Sequence, residues 1–332
     1  MKLATFETIV DIQPIVGADR IELARVQGWQ SVIKKGEYKV GDQIIFVPID
    51  TVLEPKEWNK FLWNKEDPSK PIRVKTAKMK NAISQGIIFP MSIIDNCTLT
   101  TEPNALAAVL GITKYEKPVP AHLAGQVKGD FPTHFVSKTD EDNLKSNIAV
   151  LEELKNADFV EATLKLDGTS ATYIKDQFGE FHVCSRNLEL KETESNVHWK
   201  MAHKYNIKDL LNNGECLQGE ICGPGIQGNP TGISELSFFA FNFKKDGKWS
   251  SYEHLKDKIQ TVGTVEKWSK QEFADLTIDD LQARVNMYVY GDSNKPAEGL
   301  VFRGFNKEKE LLFSPTLQKM LSVKIINQRY ID

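Results

Sequence analysis

The sequence predicts two domains, a small β-barrel followed by an α+β domain built on an antiparallel sheet, and three observations predict them. The chain has 332 residues, enough for two hydrophobic cores at roughly 150 residues per domain. Short β-branched or alternating segments separated by polar turns fill the first hundred residues, as in a barrel of five or six strands. Pro118, Pro120, Gly125, Gly129 and Pro132 then interrupt every regular pattern, which puts the boundary near 130 and gives domains of 1–130 and 131–332.

In the first domain, 8–12, 21–26 and 30–33 alternate or carry β-branched residues, and 44–47 is a fully apolar run after the turn at Gly41-Asp42. A strand over Arg73 to Lys80 and another over Gly86 to Phe89 complete the set. The five-stranded OB-fold is the commonest nucleic-acid-binding barrel of this kind. In the second domain, Thr139 followed by Asp140, Glu141 and Asp142 reads as a helix start, with Leu144, Ile148, Leu151 and Leu154 at helical spacing. Strands over 159–164, 171–174, 181–184 and 236–243 form the antiparallel sheet, with helices near 197–212 and 278–287.

Composition excludes several classes. The net charge is −3, with 41% hydrophobic and 26% charged residues, so the chain is neither a polycation nor an acidic tail. No apolar run approaches the ~18 residues of a membrane span, and the N-terminus meets Glu7 before any signal-type apolar region forms, which places the protein in the cytoplasm or nucleus and off the membrane. Cys97, Cys184, Cys216 and Cys222 form no C-x-x-C pair, and the six histidines, His122 and His254 among them, show no metal-ligand spacing; the cysteines read as reduced thiols. Gly223 to Gly228 satisfies G-x-G-x-x-G, but Asn229-Pro230 follows where a helix should begin, and no P-loop string exists. The one local asymmetry is Lys56 to Lys80, with eight basic residues against three acidic ones and Trp58, Phe61 and Trp63 among them. Cations that displace counterions and rings that stack on bases suit RNA, which makes Arg73, Lys75, Lys78 and Lys80 candidate RNA contacts; a solvated loop with core aromatics suits the same composition.

Chemistry centres on Lys165-Leu166-Asp167-Gly168, a turn between two strands that can aim an amine into a cleft. With an unperturbed pKa of about 10.4, a lysine nucleophile needs a neighbouring cation to lose its proton. Nearby acids are then expected to hold a metal and its waters and not to pair with the lysine directly. In fixed order downstream come Ser185-Arg186-Asn187, Gly219-Glu220, Phe239 to Asn242, Glu298 to Arg303, and Ser322-Val323-Lys324. In the alternating strand 236–243, residues 239, 241 and 243 share one face. Lys324 lies in an apolar strand, where an unpaired lysine is costly.

These ordered motifs resemble those of covalent nucleotidyltransferases, the superfamily of ATP-dependent RNA ligases, DNA ligases and mRNA capping enzymes. Gly219 to Gln227 and the segment Ile83 to Gly86 are similar to the fifth family of RNA ligases, the Naegleria-type enzymes, with an N-terminal OB domain before an ATP-grasp-like ligase adenylation domain. The resemblance implies Lys165 as the nucleophile that carries AMP. It implies Asp167, Glu220 and Glu298 as holders of hydrated Mg²⁺ or Mn²⁺, and Leu164, Arg186, Glu220, Phe241 and Lys324 as nucleotide contacts, with Phe241 stacked on adenine and Lys324 neutralising the α-phosphate. ATP is the implied co-substrate and RNA with 3′-hydroxyl and 5′-phosphate ends the implied partner, handled by a monomer. Two departures stand out: a triphosphate-binding arginine is replaced by Asn143, with Lys145 the nearest base, and Ser322 stands where some ligases have a lysine. A capping guanylyltransferase or DNA ligase usually has its OB domain after the last motif, where only 325–332 remain here. An inactive RNA-end-binding module is the other alternative.

Overall fold

The computed structural model describes residues 2–80, 82–94, 105–115, 125–250, 255 and 257–330. Cys97, Pro118, Pro120, His122 and His254 lie outside them. The chain divides into one unit of Met1–Lys117 and a second of Pro118–Tyr330. The division falls earlier in the chain than residue 130, because Val127–Asp130 pairs with Leu188–Leu190 of the second unit.

The first unit is the OB-fold barrel the sequence predicts, made of short strands around one core. Thr5–Thr8 and Ile87–Pro90 flank Gln43–Val47, whose apolar run is buried on both faces, and Asp11–Pro14, Ile21–Val26 and Trp29–Lys34 form a meander. Ser31 Oγ donates to the Gly86 carbonyl at 2.9 Å, and Val32 N donates to Ser84 Oγ at 3.0 Å, tying the meander to Ala82–Gln85. Gly86 is obligatory at this seam, since its φ is +115° and a Cβ there would stand 2.5 Å from the Phe46 ring. The strand expected over Arg73 to Lys80 is broken into Ile72–Arg73 and Thr76–Met79. Val74 between them turns into the core and exchanges backbone hydrogen bonds with Asp50 and Thr51.

The second unit holds a seven-stranded and a five-stranded sheet, antiparallel except for one parallel pair. In the five-stranded sheet, Phe159–Lys165 lies between Gly299–Phe305 and Thr264–Ser269, and Ser322–Ile326 pairs with Gly299–Phe305. Alternation divides its residues. Val160, Ala162, Leu300, Phe302, Val323 and Ile325 face a core covered by the helices Ala149–Asn156, Lys270–Phe273 and Ile278–Val285. Thr163, Lys165, Arg303 and Lys324 consequently share the opposite face, since register pairs Thr163 with Val301 and Val301 with Lys324. The seven-stranded sheet buries Ala171, Tyr173, Leu217, Ile221, Phe238, Ala240 and Phe243 beneath the helices Val197–Lys204 and Ile207–Leu210. No helix of the described residues is long and apolar enough to cross a membrane.

The helix expected to start at Thr139 begins ten residues later, at Ala149. Asp142–Asn143 instead adds a parallel edge to Val323–Lys324, and the Thr139 hydroxyl bonds Ser170 Oγ at 2.8 Å. Sheet pairing wins over capping because two buried polar residues, Asp142 and Asn143, gain backbone partners there.

Candidate active site

Lys165 ends its strand on the polar face, opposite Gly299, and this register brings Glu298 to it. Lys165 Nζ donates to Glu298 Oε2 at 2.8 Å, with both side chains about three-quarters or more buried. Burial pushes the ammonium down, but the charges of Glu298 and Glu220 overcome this and hold it above its ordinary value. The direct ion pair corrects the expectation that the acids would not bond the lysine. Two carboxylates, Glu298 and Glu220, act on the amine, and the nearer one bonds it.

Two glycines make this convergence possible. A Cβ on Gly168 would stand 2.3 Å from the Ile221 carbonyl and 2.9 Å from Glu220 Cγ, so only glycine lets the Asp167 turn lie against the Glu220 strand. A Cβ on Gly299 would stand 2.2 Å from the Ile325 carbonyl. Each glycine adjoins an acid of the site, which gives the K-x-D-G and E-G strings a steric reason.

Tyr290 and Tyr330 are the residues that motif reading misses. The buried Tyr290 hydroxyl donates to the Lys165 carbonyl at 2.8 Å and accepts from the Asp167 and Glu298 amides at 3.1 and 3.0 Å. One phenol thus fixes the backbone of the lysine and two of the acids. Burial, followed by the charge of Glu298, raises its pKa and keeps it a donor. The Tyr330 hydroxyl donates to Asp167 Oδ2. A lone tyrosine in a turn carries no sequence signal, so neither could be found before the fold was known.

Asp167, Glu220 and Glu298 are hard oxygen donors suited to Mg²⁺ or Mn²⁺.

A sequence profile for an OB-fold domain matches residues 3–91, and one for RNA ligase matches residues 158–313. No curated protein matches the chain. Among solved structures, Naegleria gruberi RNA ligase with PPi shares 31% identity at a TM-score of 0.79, over 98% of this chain and 97% of that one. An arginine-to-alanine mutant of the same ligase with ATP and Mn aligns over equal shares at 30% and 0.80. A lysine-to-methionine mutant with AMP and Mn also aligns over those shares, at 30% and 0.81. The chain belongs to the Naegleria-type ATP-dependent RNA ligases.

In this RNA ligase the remaining candidates fall into place unevenly. Phe241 sits at a β-bulge, where the register between Glu215–Cys222 and Ser237–Lys245 shifts. The extra residue reverses the alternation, so Phe243 joins the core with Phe238, and the expectation that 239, 241 and 243 share a face fails at 243. Phe241 is left half-buried, 5.7 Å from the guanidinium carbon of Arg303. Arg303 is itself buried and donates to Thr163 Oγ1 at 3.0 Å. Arg186 is half-exposed on the turn after Phe181–Cys184 and lies 3.5 Å from Asp140. The partly buried Leu164 side chain packs on the core, opposite Lys165. Asn143 Oδ1 accepts from Lys145 N at 3.1 Å, and Lys145 is buried. Ser322 Oγ donates to Glu141 at 3.4 Å.

In the first unit, Lys75, Lys78 and Lys80 are exposed. Arg73 is not a free surface cation: its guanidinium carbon stacks 3.6 Å from the Tyr115 ring centroid, and Nη2 lies 3.6 Å from Asp50. Of the aromatics, Trp58 packs edge-on against buried Phe89 at 4.9 Å, while Phe61 is exposed.

Proposed function

We propose that this RNA ligase joins an RNA 3′-hydroxyl to an RNA 5′-phosphate, at nicks, through three nucleotidyl transfers. Lys165 Nζ attacks the α-phosphorus of ATP, and the bond to pyrophosphate breaks as the lysyl-AMP bond forms. The AMP then passes to the RNA 5′-phosphate, and the 3′-hydroxyl displaces it. The observation that carries this reading is the Lys165 amine, held at 2.8 Å by Glu298 and raised in pKa by Glu298 and Glu220 together, on the sheet face that also bears Lys324. The Naegleria gruberi structures include substitutions of a lysine and of an aspartate two positions on, the spacing of Lys165 and Asp167.

Each residue has a part derived from its place. Glu298 orients the amine, and Tyr290 fixes the backbone from which Lys165, Asp167 and Glu298 project. Lys324, half-buried on the polar face, neutralises the α-phosphate as charge builds on it. Phe241 offers its ring to adenine, Arg186 contacts ribose or phosphate, and the Leu164 backbone borders the base. A divalent ion at Asp167, Glu220 and Glu298 supplies the positive charge that removes the support for the ammonium and offsets the phosphates. The ligase is read as acting as a monomer. Lys75, Lys78 and Lys80 of the barrel hold the RNA backbone.

The test is incubation with Mn²⁺ and α-labelled ATP or GTP, denaturation, and a search for label that stays with the chain. Label from ATP, absent in Lys165→Ala, supports the reading, and subsequent sealing of nicked RNA in preference to nicked DNA fixes the substrate. Label from GTP alone would redirect it to capping, and none from either would leave an RNA-end-binding module.

A further inference from the structure

The strands Thr169–Lys175 and Phe181–Cys184 form a hairpin whose open end leads to Asp167 on one side and Arg186 on the other. Its closed end turns through 176–180 and gathers ligands that the ligation site does not use. Asp176 Oδ1 accepts from Phe178 N at 2.9 Å and Glu180 N at 2.8 Å, which fixes the carboxylate and leaves Oδ2 facing His182. One ligand atom each of Asp176, Glu180 and His182 lies within 4.8 Å of the other two, and no other described group of three His, Cys, Asp or Glu residues meets that distance.

His182 supplies the independent observation. It is 8% exposed, and its Nε2 is buried, has no hydrogen-bond partner and lies 3.7 Å from Asp176 Oδ2. Its other nitrogen, Nδ1, lies 2.8 Å from Glu189 Oε1, which Lys128 holds in turn at 2.7 Å. A carboxylate that accepts a hydrogen bond from Nδ1–H favours the neutral tautomer with its lone pair on Nε2, the usual arrangement behind a metal-binding imidazole. An unpaired acceptor in a buried position is otherwise costly.

We propose that Asp176, Glu180 and His182 bind a divalent transition-metal ion of the Zn²⁺ class, separate from the ion of the ligation site. One imidazole nitrogen and two carboxylate oxygens suit such an ion better than Mg²⁺, which prefers oxygen ligands and water. Exposed Glu180 is the ligand that closes on the ion, and its exposure gives the entry path. The bound ion ties the two ends of the turn together, while the register of the two strands is set by their own backbone pairing. The rival arrangement is an imidazolium shared between Asp176 and Glu189, which needs no metal.

The experiment uses the full chain with Asp167→Asn, Glu220→Gln and Glu298→Gln, so that the acids of the ligation site no longer compete. Calorimetric titration with Zn²⁺ alone, and visible absorption with Co²⁺ alone, count the ions bound. The proposal expects one ion per chain, with affinity reduced at least tenfold by Glu180→Ala and by His182→Gln. Because Glu180 is exposed, its alanine variant keeps the fold even if the histidine variant does not. With the ligation-site acids intact, Glu180→Ala leaves adenylylation by ATP unchanged. No ion bound, or titrations of Glu180→Ala that match the parent, would overturn the proposal in favour of the shared imidazolium.

Discussion

The two units hold their charged residues in opposite ways. On the polar face of the five-stranded sheet, Lys165 is tied to Glu298, Asp167 to Tyr330, and the backbone beneath them to one phenol. In the barrel, Lys75, Lys78 and Lys80 stand in solvent, whereas Arg73 is stacked on Tyr115 and beside Asp50. Under the proposed function, the contrast suits the work of each unit. Bond making needs atoms placed to a fraction of an ångström, whereas holding a phosphate backbone needs charge near a line.

The contrast can be broken at its strongest point first. Lys165→Ala should lower adenylylation by ~10⁴-fold or more while leaving closure of preadenylated RNA measurable; label retained by this variant breaks the assignment. Lys324→Ala comes next, with an expected fall of ~10²–10³-fold in adenylylation rate, on the scale of losing one preorganised donor. Single-turnover kinetics check it, and a loss confined to the ATP KM would place Lys324 in ground-state binding instead.

Tyr290→Phe tests whether fixation itself matters. Removing the hydroxyl strands the part-buried Asp167 and Glu298 amides, at a cost of about 1–3 kcal/mol. A lower unfolding midpoint in urea should accompany a ~10-fold slower adenylylation with ATP KM little changed. The smallest effect belongs to the barrel. Lys75, Lys78 and Lys80 changed together to Ala should flatten the salt dependence of RNA binding by roughly 0.7–0.9 in slope for each phosphate no longer neutralised, with adenylylation untouched. Parent-like slopes would move the RNA interface elsewhere.

Legibility follows the same division. Strings such as Lys165 to Gly168 and Glu298-Gly299 were readable because strand packing forces glycine beside each acid. The barrel was readable because its strands alternate simply around one core. Alternation misled where a single residue was inserted: the bulge at Phe241 carries no local signature, and it sends Phe243 to the core. The helix start at Thr139 misled because a long-range pairing, Asp142–Asn143 with Val323–Lys324, decides that segment from the other end of the domain's sequence. Tyr290 and Tyr330 are invisible for the same reason. Their partners, Lys165, Asp167 and Glu298, become neighbours only when the sheet forms.

The most direct measurement is to incubate the protein with ATP and Mn²⁺, digest it, and map AMP-bearing peptides by mass spectrometry. The account predicts AMP on Lys165 and nowhere else. AMP on Lys324 or another residue, or ATP-dependent sealing by Lys165→Ala protein, would contradict it.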